Sequence, residues 1–214
     1  MSHQSPTGTP KETDTSIRVI GIVASAGGPT AVTQVLANLA ADFPVPILLL
    51  LHLGRSSQLV EILSRQTPLA VHWANDGDVL RPATVWVAPP EYSLQAPPDG
   101  TVSLVKVDDV IKREKTGSGW PSADQFFTSL AFSYGCHALV IVLTGMGRSG
   151  AVGVQEVKRQ GGMVLAQDEA TSSYWGMPQA AIKTGCVDLV LPLPQIAPAL
   201  VSIASNRKEH GPPH

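Results

Sequence analysis

The chain has 214 residues, of which 43% are hydrophobic and 15% charged, and its formal net charge is −2 at pH 7. This composition is typical of a folded globular protein and argues against intrinsic disorder. Since the chain lacks the strong positive charge of a polyanion-binding protein, nucleic acid is not an expected partner.

Residues 1–16 and 206–214 are polar and are predicted to be disordered tails around a single domain that spans residues 17–205. The N-terminal tail lacks the apolar segment of a signal peptide. The longest apolar run, around Ile47–Leu51, is too short to cross a bilayer, so no membrane insertion is expected.

The two cysteines, Cys136 and Cys186, lie far apart in the sequence, each beside an apolar run. Neither belongs to a C-x-x-C pair or lies near a histidine cluster, which argues against a metal site. They are predicted to be buried free thiols of a protein in the reducing cytoplasm.

Short continuous apolar runs alternate with helix-like segments along most of the chain. Runs without polar alternation are typical of strands buried on both faces, which predicts an α/β fold with a doubly wound, mainly parallel sheet and helices on both faces. The predicted strands are Arg18–Ala24, Ile47–Leu51, Ala138–Leu143, Met163–Ala166 and Val187–Leu191. The predicted helices are Pro29–Leu39, Gln58–Arg65, Asp124–Tyr134, Val152–Gln160 and Pro178–Lys183, and Ser122 with Gln125 resembles a capping box before the third.

The middle of the chain has a different pattern. Between Val71 and Val107, the β-rich pieces TVWVAP, YSLQAP and TVSLVKV are separated by Asp-Gly and Pro-Pro turns. They predict a small antiparallel insert appended to the parallel sheet. The charged segment DDVIKREKTGSG that follows predicts a mobile surface loop.

Three predicted strands end in residues suited to chemistry. Ser25 follows the first strand, His52 follows the second, and the glycine-rich sequence LTGMGRSGA follows the strand ALVIVL. Because ligands bind at the carboxyl ends of the strands in such sheets, these residues indicate a nucleophile, a base and a set of backbone N–H donors. V-A-S-A-G lacks the first glycine of a G-x-S-x-G elbow, so an α/β-hydrolase of the usual order is disfavoured.

Each of these features also has another interpretation. A serine before Gly-Gly is often a helix cap or a phosphate contact, and a histidine after a strand is often structural. Gly145, Gly147 and Gly150 spell G-x-G-x-x-G, and with Asp168 they meet the pattern of a dinucleotide loop. That pattern alone is weak support for an oxidoreductase.

Longer motifs give a more specific result. VIGIVASAGGP, ANDGDVLRPATVWVAPP, LTGMGRSGAVG and AQDEATSSYWGMPQAAIKTGCVDLVLPLPQIAPAL occur in the order found in the catalytic domain of CheB-type chemotaxis protein-glutamate methylesterases. The chain resembles this family from about Arg18 to Val201. The resemblance implies hydrolysis of glutamate methyl esters on the cytoplasmic helices of methyl-accepting chemoreceptors, with glutamine deamidation as a second activity and no cofactor.

The resemblance also implies roles for four positions. Ser25 matches the family's nucleophile, His52 its histidine, and Met146 the residue whose backbone N–H faces the oxyanion. Ser149 stands where the family has the aspartate of its catalytic triad. Three further positions depart from the family pattern, where Ala26 replaces a threonine, Gly54 a proline and Trp120 an arginine.

These departures leave two functions open. One is a methylesterase working through Ser25 and His52, with Ser149, Asp168 or Glu169 assisting the imidazole. The other is an inactive module that binds receptor or signalling proteins. The family commonly carries a phosphorylated receiver domain before the catalytic domain, whereas only a short tail precedes the first strand here, so the chain is expected to be a stand-alone version or part of a longer protein.

Overall fold

The structure is a computed structural model that describes residues 16–52, 57–106 and 123–205. Its centre is a seven-stranded parallel sheet with the strand order β3-β4-β2-β1-β7-β8-β9, and a separate antiparallel pair is formed by β5 and β6. The predicted doubly wound α/β fold with an antiparallel hairpin is confirmed.

The elements of the described residues are named here in chain order. The strands are β1 Val19–Ala24, β2 Ile47–Leu51, β3 Ala70–Trp73, β4 Thr84–Val87, β5 Tyr92–Gln95, β6 Ser103–Lys106, β7 Ala138–Val142, β8 Met163–Gln167 and β9 Leu189–Leu191. The helices are α1 Gly28–Ala37, α2 Leu59–Gln66, α3 Ala123–Tyr134, α4 Ala151–Arg159, α5 Gly176–Ile182 and α6 Leu193–Ser205.

The sheet is covered on both faces because successive side chains of a strand point in opposite directions. On one face, Ile20 and Ile22 of β1 pack in a cluster with residues of α1, α2 and α6. On the other face, Val19 and Val23 belong to a second cluster with α3, α4, α5 and the hairpin. Both clusters draw on the same central strands, which explains why those strands are apolar at every position.

Two parts of the region predicted as an insert belong instead to the main sheet. Val71–Trp73 lies in β3, the strand at one edge of that sheet. TVWV forms β4, which lies between β2 and β3 and pairs parallel with both. Val85 and Val87 are fully buried in the core, as expected for an internal strand with a neighbour on each side. The remaining prediction for this region is confirmed, because YSLQ and SLVK form the antiparallel β5–β6 pair.

The sequence prediction did not include α6. Its two prolines, Pro194 and Pro198, are exposed, while Leu193, Ile196 and Leu200 are buried on the side that faces the sheet. Pro198 lies inside the helix, where proline is normally disfavoured because it removes a backbone hydrogen bond. Burial of the apolar side chains compensates for that loss.

Helices α3 and α4 exchange hydrogen bonds at their N-termini. The Ser149 hydroxyl accepts a bond from the Ala123 N–H at 3.3 Å. In return, Asp124 Oδ1 accepts bonds from the N–H groups of Val152 and Gly153, both at 2.9 Å. Ser149, just before α4, therefore caps α3, and Asp124, in the first turn of α3, caps α4.

Replacing Asp124 with alanine is expected to lower the free energy of unfolding by about 1–2 kcal/mol, because two N–H groups at the start of α4 lose a charged acceptor. Denaturant unfolding of the two proteins measures this difference. The Asp42→Ala variant is a control at an exposed aspartate outside the helices. An equal loss in both variants would contradict the capping role.

Several predictions fall outside the described residues. These are the capping role of Ser122, the loop DDVIKREKTGSG, and all of the predicted tails except Ser16. Among the described residues, no helix is long and apolar enough to span a membrane.

Candidate active site

Ser25 lies in the turn that joins β1 to α1, hereafter the β1–α1 turn (residues 25–27). Its N–H donates to the Thr144 carbonyl at 3.0 Å, and its own carbonyl accepts from the Gly28 N–H at 2.8 Å. Gly27 precedes the helix with φ of 76°, a conformation that other residues rarely adopt. The half-buried Ser25 side chain is thereby held beside the N-terminus of α1.

His52 directly follows β2 and reaches Ser25. The Nδ1 atom of His52 lies 3.2 Å from Ser25 Oγ, which is within hydrogen-bonding distance. The pairing of β1 with β2 brings Ala24 opposite Leu51, so the next residue of each strand lies side by side. The strand register therefore produces the contact between hydroxyl and imidazole.

The glycine-rich loop (residues 145–150) lies on the other side of β1. The Gly145 N–H donates to the Tyr174 carbonyl at 3.0 Å, and the Gly145 carbonyl accepts from Met177 at 2.9 Å. A side chain at Gly176 would meet the Gly147 backbone nitrogen at 2.8 Å, so α5 lies directly against the loop. None of the described residues accepts a hydrogen bond from the Met146 N–H, and the Met146 side chain is exposed.

Ser149 is directed toward α3. Its hydroxyl bonds to the Ala123 N–H, and within the described part of the chain His52 is not among its hydrogen-bond partners. A hydroxyl in this position caps a helix but supplies no negative charge to an imidazolium ion.

Asp168 and Glu169 follow β8, and β8 is three strands away from β2. Since neighbouring strands are about 4.8 Å apart, these residues start about 14 Å from His52. Asp168 Oδ1 already accepts bonds from the Thr171 N–H at 3.0 Å and the Thr171 hydroxyl at 2.5 Å. The structure therefore does not favour Asp168 as a partner of the imidazole, and Glu169 starts from the same strand end.

The glycines also have structural roles unrelated to a dinucleotide. A side chain at Gly145 would clash with the Met177 sulfur and would meet the Ser25 Cβ at 3.0 Å. Gly150 adopts φ of 96° at the residue before α4. Close packing and a helix start therefore account for both glycines.

Sequence reasoning missed two buried polar residues beneath the site. Thr144 is 1% exposed and Gln167 is fully buried, and the Thr144 N–H donates to Gln167 Oε1 at 2.9 Å. Each of these residues directly follows an apolar run in the sequence. A polar residue at the end of such a run is the signal that could have identified them. Among the described residues, no cluster of three or more His, Cys, Asp or Glu side chains is suited to a metal ion.

Comparison with known families identifies the family to which this fold and its strand-end residues belong. Residues 20–200 match the family model described as CheB methylesterase. The chain belongs to the CheB methylesterase family. The match covers nearly all of the sheet, both helical layers and the three strand ends described above.

Individual CheB relatives agree with this assignment. A protein-glutamate methylesterase/protein-glutamine glutaminase of Rhizobium meliloti is 39% identical over 94% of this chain and 55% of its own length. The protein-glutamate methylesterase FrzG of Myxococcus xanthus is 38% identical over 86% of this chain and 54% of its own. The chain thus spans about half the length of the curated relatives it matches.

A solved CheB structure also matches most of this chain. The crystal structure of the Thermotoga maritima CheB methylesterase catalytic domain matches with a TM-score of 0.80 and 30% identity, over 88% of this chain and 99% of that chain. The fold of this chain is therefore that of a CheB catalytic domain.

Proposed function

We propose that this chain hydrolyses methyl esters of glutamate side chains in methylated signalling proteins of the chemoreceptor type, with Ser25 as nucleophile and His52 as base. The observation that carries the proposal is the 3.2 Å contact between Ser25 Oγ and His52 Nδ1. Membership of the CheB family and relatives named as protein-glutamate methylesterases support this substrate class.

The reaction proceeds in two steps. Ser25 Oγ attacks the ester carbonyl carbon while its proton moves to His52, and the carbonyl oxygen becomes an oxyanion. Collapse of this intermediate breaks the bond to the methoxy group, which takes the proton from His52 and leaves as methanol. Water then attacks the acyl-serine, with His52 again as base, and releases glutamate and free Ser25.

The Met146 N–H is proposed as the donor to the oxyanion. It lies in the glycine-rich loop, beside the turn of Ser25, and none of the described residues accepts a bond from it. A backbone donor that is fixed before the reaction stabilises the developing charge without reorganisation. The partial positive charge at the N-terminus of α1 acts in the same direction.

A glutamine side chain would give the same acyl-enzyme with release of ammonia, so deamidation is a second activity of the proposed site. Amides are poorer acyl donors than esters. We therefore propose ester hydrolysis as the principal reaction.

The position of Ser149 favours a second candidate, a module that binds receptor helices without hydrolysing them. The family's aspartate is replaced, and the hydroxyl that replaces it bonds to Ala123. Such a protein would retain the CheB scaffold and the exposed surface around Met146 and Tyr174.

Two measurements on the same protein distinguish the candidates. A receptor cytoplasmic fragment with isotopically labelled methyl esters is incubated with the chain, and released methanol is counted; calorimetry measures binding of the same fragment. We expect methanol release that increases linearly with enzyme concentration. Binding without release, even at an enzyme concentration equal to that of the substrate, would contradict the proposal and support the binding module.

A further inference from the structure

A pair of buried polar side chains, Thr144 and Gln167, lies beneath the site. With Ser93 they are the buried polar residues among the described part of the chain, and Thr144 and Gln167 both have hydrogen-bond partners. A polar group that is removed from water and fully bonded holds its neighbours in one arrangement, because any other arrangement leaves it unpaired.

Gln167 joins the end of β8 to two loops. Its Oε1 accepts the Thr144 N–H at 2.9 Å, which fixes the residue that begins the turn into the glycine-rich loop. Its Nε2 donates to the Thr171 carbonyl at 2.8 Å and more weakly to the Thr171 hydroxyl at 3.3 Å. The glycine-rich loop and the β8–α5 loop (residues 168–175) are thereby connected through one amide.

Thr144 extends the connection to the nucleophile. Its hydroxyl accepts the Tyr174 N–H at 2.9 Å and donates to the Ala26 carbonyl at 3.0 Å, with the Tyr174 carbonyl at 3.3 Å as an alternative acceptor. Its backbone carbonyl accepts the Ser25 N–H at 3.0 Å. One threonine therefore bonds to the residue that carries the nucleophile, to the next residue, and to the β8–α5 loop.

We infer that Thr144 and Gln167 are positioning residues that fix the backbone of Gly145 and Met146 relative to Ser25. This inference rests on the proposed function, since it concerns the distance between the nucleophile and the oxyanion donor of that site. Neither side chain touches the reacting atoms. They act through the β1–α1 turn and through the Tyr174 carbonyl, which in turn holds the Gly145 N–H.

The chain offers a matched set of variants. Thr144→Val keeps the size of the side chain but removes the hydroxyl, whereas Thr144→Ser keeps the hydroxyl. Thr67→Val is the structural control, because the Thr67 hydroxyl also donates to a carbonyl, that of Leu36, and accepts an N–H, that of Leu69, but between α1, α2 and β3. Thermal unfolding confirms that each variant is folded at the assay temperature.

Activity is measured as kcat and KM for methyl ester hydrolysis. We expect Thr144→Val to lower kcat about fivefold with KM changed less than about twofold, since the oxyanion donor is displaced while the binding surface is kept. Thr144→Ser and Thr67→Val should both retain kcat within about twofold. A loss of stability in Thr67→Val without a loss of kcat would separate positioning from folding.

Amide hydrogen exchange at Ser25 and Gly145 gives a readout that does not depend on turnover. Both N–H groups are held by this network, so their exchange should accelerate about tenfold in Thr144→Val but not in Thr144→Ser or Thr67→Val. Unchanged exchange at both amides, or a kcat that falls equally in Thr67→Val, would overturn the inference. Absence of turnover in the unmodified chain would instead overturn the proposed function, and exchange would then decide the positioning role alone.

Discussion

The Ser25→Ala variant is expected to lose methyl ester hydrolysis by at least roughly a thousandfold in kcat. The substitution removes the hydroxyl oxygen that lies 3.2 Å from His52 Nδ1, so Ser25 can no longer form an acyl-enzyme. Methanol release from the labelled receptor fragment measures the loss. Binding of the fragment should remain, because one hydroxyl contributes little to a protein interface.

The Ser202→Ala variant is the matched control, since Ser202 is exposed on α6 and has no part in the site. It should retain full activity. The serine and histidine can also be tested as a unit by combining Ser25→Ala with His52→Gln. If they act together, the double variant should be no less active than Ser25→Ala, since residues that work as a unit have non-additive effects. Hydrolysis that persists in Ser25→Ala at more than a tenth of the original rate would exclude Ser25 as the nucleophile.

The Ser149→Asp variant is expected to raise kcat by at least about tenfold, because a carboxylate that orients the imidazole and stabilises imidazolium is worth roughly this much or more in serine hydrolases. The local structure accepts the change. Position 149 lies beside the N-terminus of α3, where a carboxylate can keep the bond to the Ala123 N–H and is favoured by the helix dipole. Its second oxygen would then be available to the site.

Ser149→Asn serves as the neutral control of almost the same size. It should retain the helix cap but show no comparable gain in rate, since an amide does not stabilise a positive imidazolium. Equal gains in both variants would mean that packing at position 149, and not charge, limits turnover. No gain in Ser149→Asp would show that the carboxylate does not reach His52 from this loop.

Most of the fold could be predicted from apolar runs, because β1, β2 and β7 are buried on both faces without a polar side chain, and the polar residue of β8, Gln167, stands at its end. The exceptions have physical reasons. The β4 strand lies among Pro and Gly turns, and its parallel pairing with β2 is a long-range contact that local pattern cannot reveal. The prolines of α6 hide a helix whose buried face is apolar.

Some features of the candidate site could likewise be predicted from the sequence, and others could not. The positions of Ser25 and His52 at strand ends follow from the sequence, and the register between β1 and β2 supplies their contact. The bonds of Ser149 to Ala123 and of Thr144 to Ala26 join segments far apart in the chain. They depend on how the loops pack over the sheet, which composition and spacing do not encode.

The pairing of Ala24 with Leu51 also determines which changes in chain length the site can tolerate. Deleting one residue from β2 would shift His52 by about 3.3 Å and turn its side chain to the opposite face of the sheet. A deletion among the exposed residues 40–42, in the connection between α1 and β2, is expected to leave this alignment intact, because these residues take no part in the pairing of β1 with β2. The distance between the Ser25 hydroxyl and the His52 imidazole therefore depends on the number of residues in β1 and β2. Homologous chains should vary in length outside these two strands.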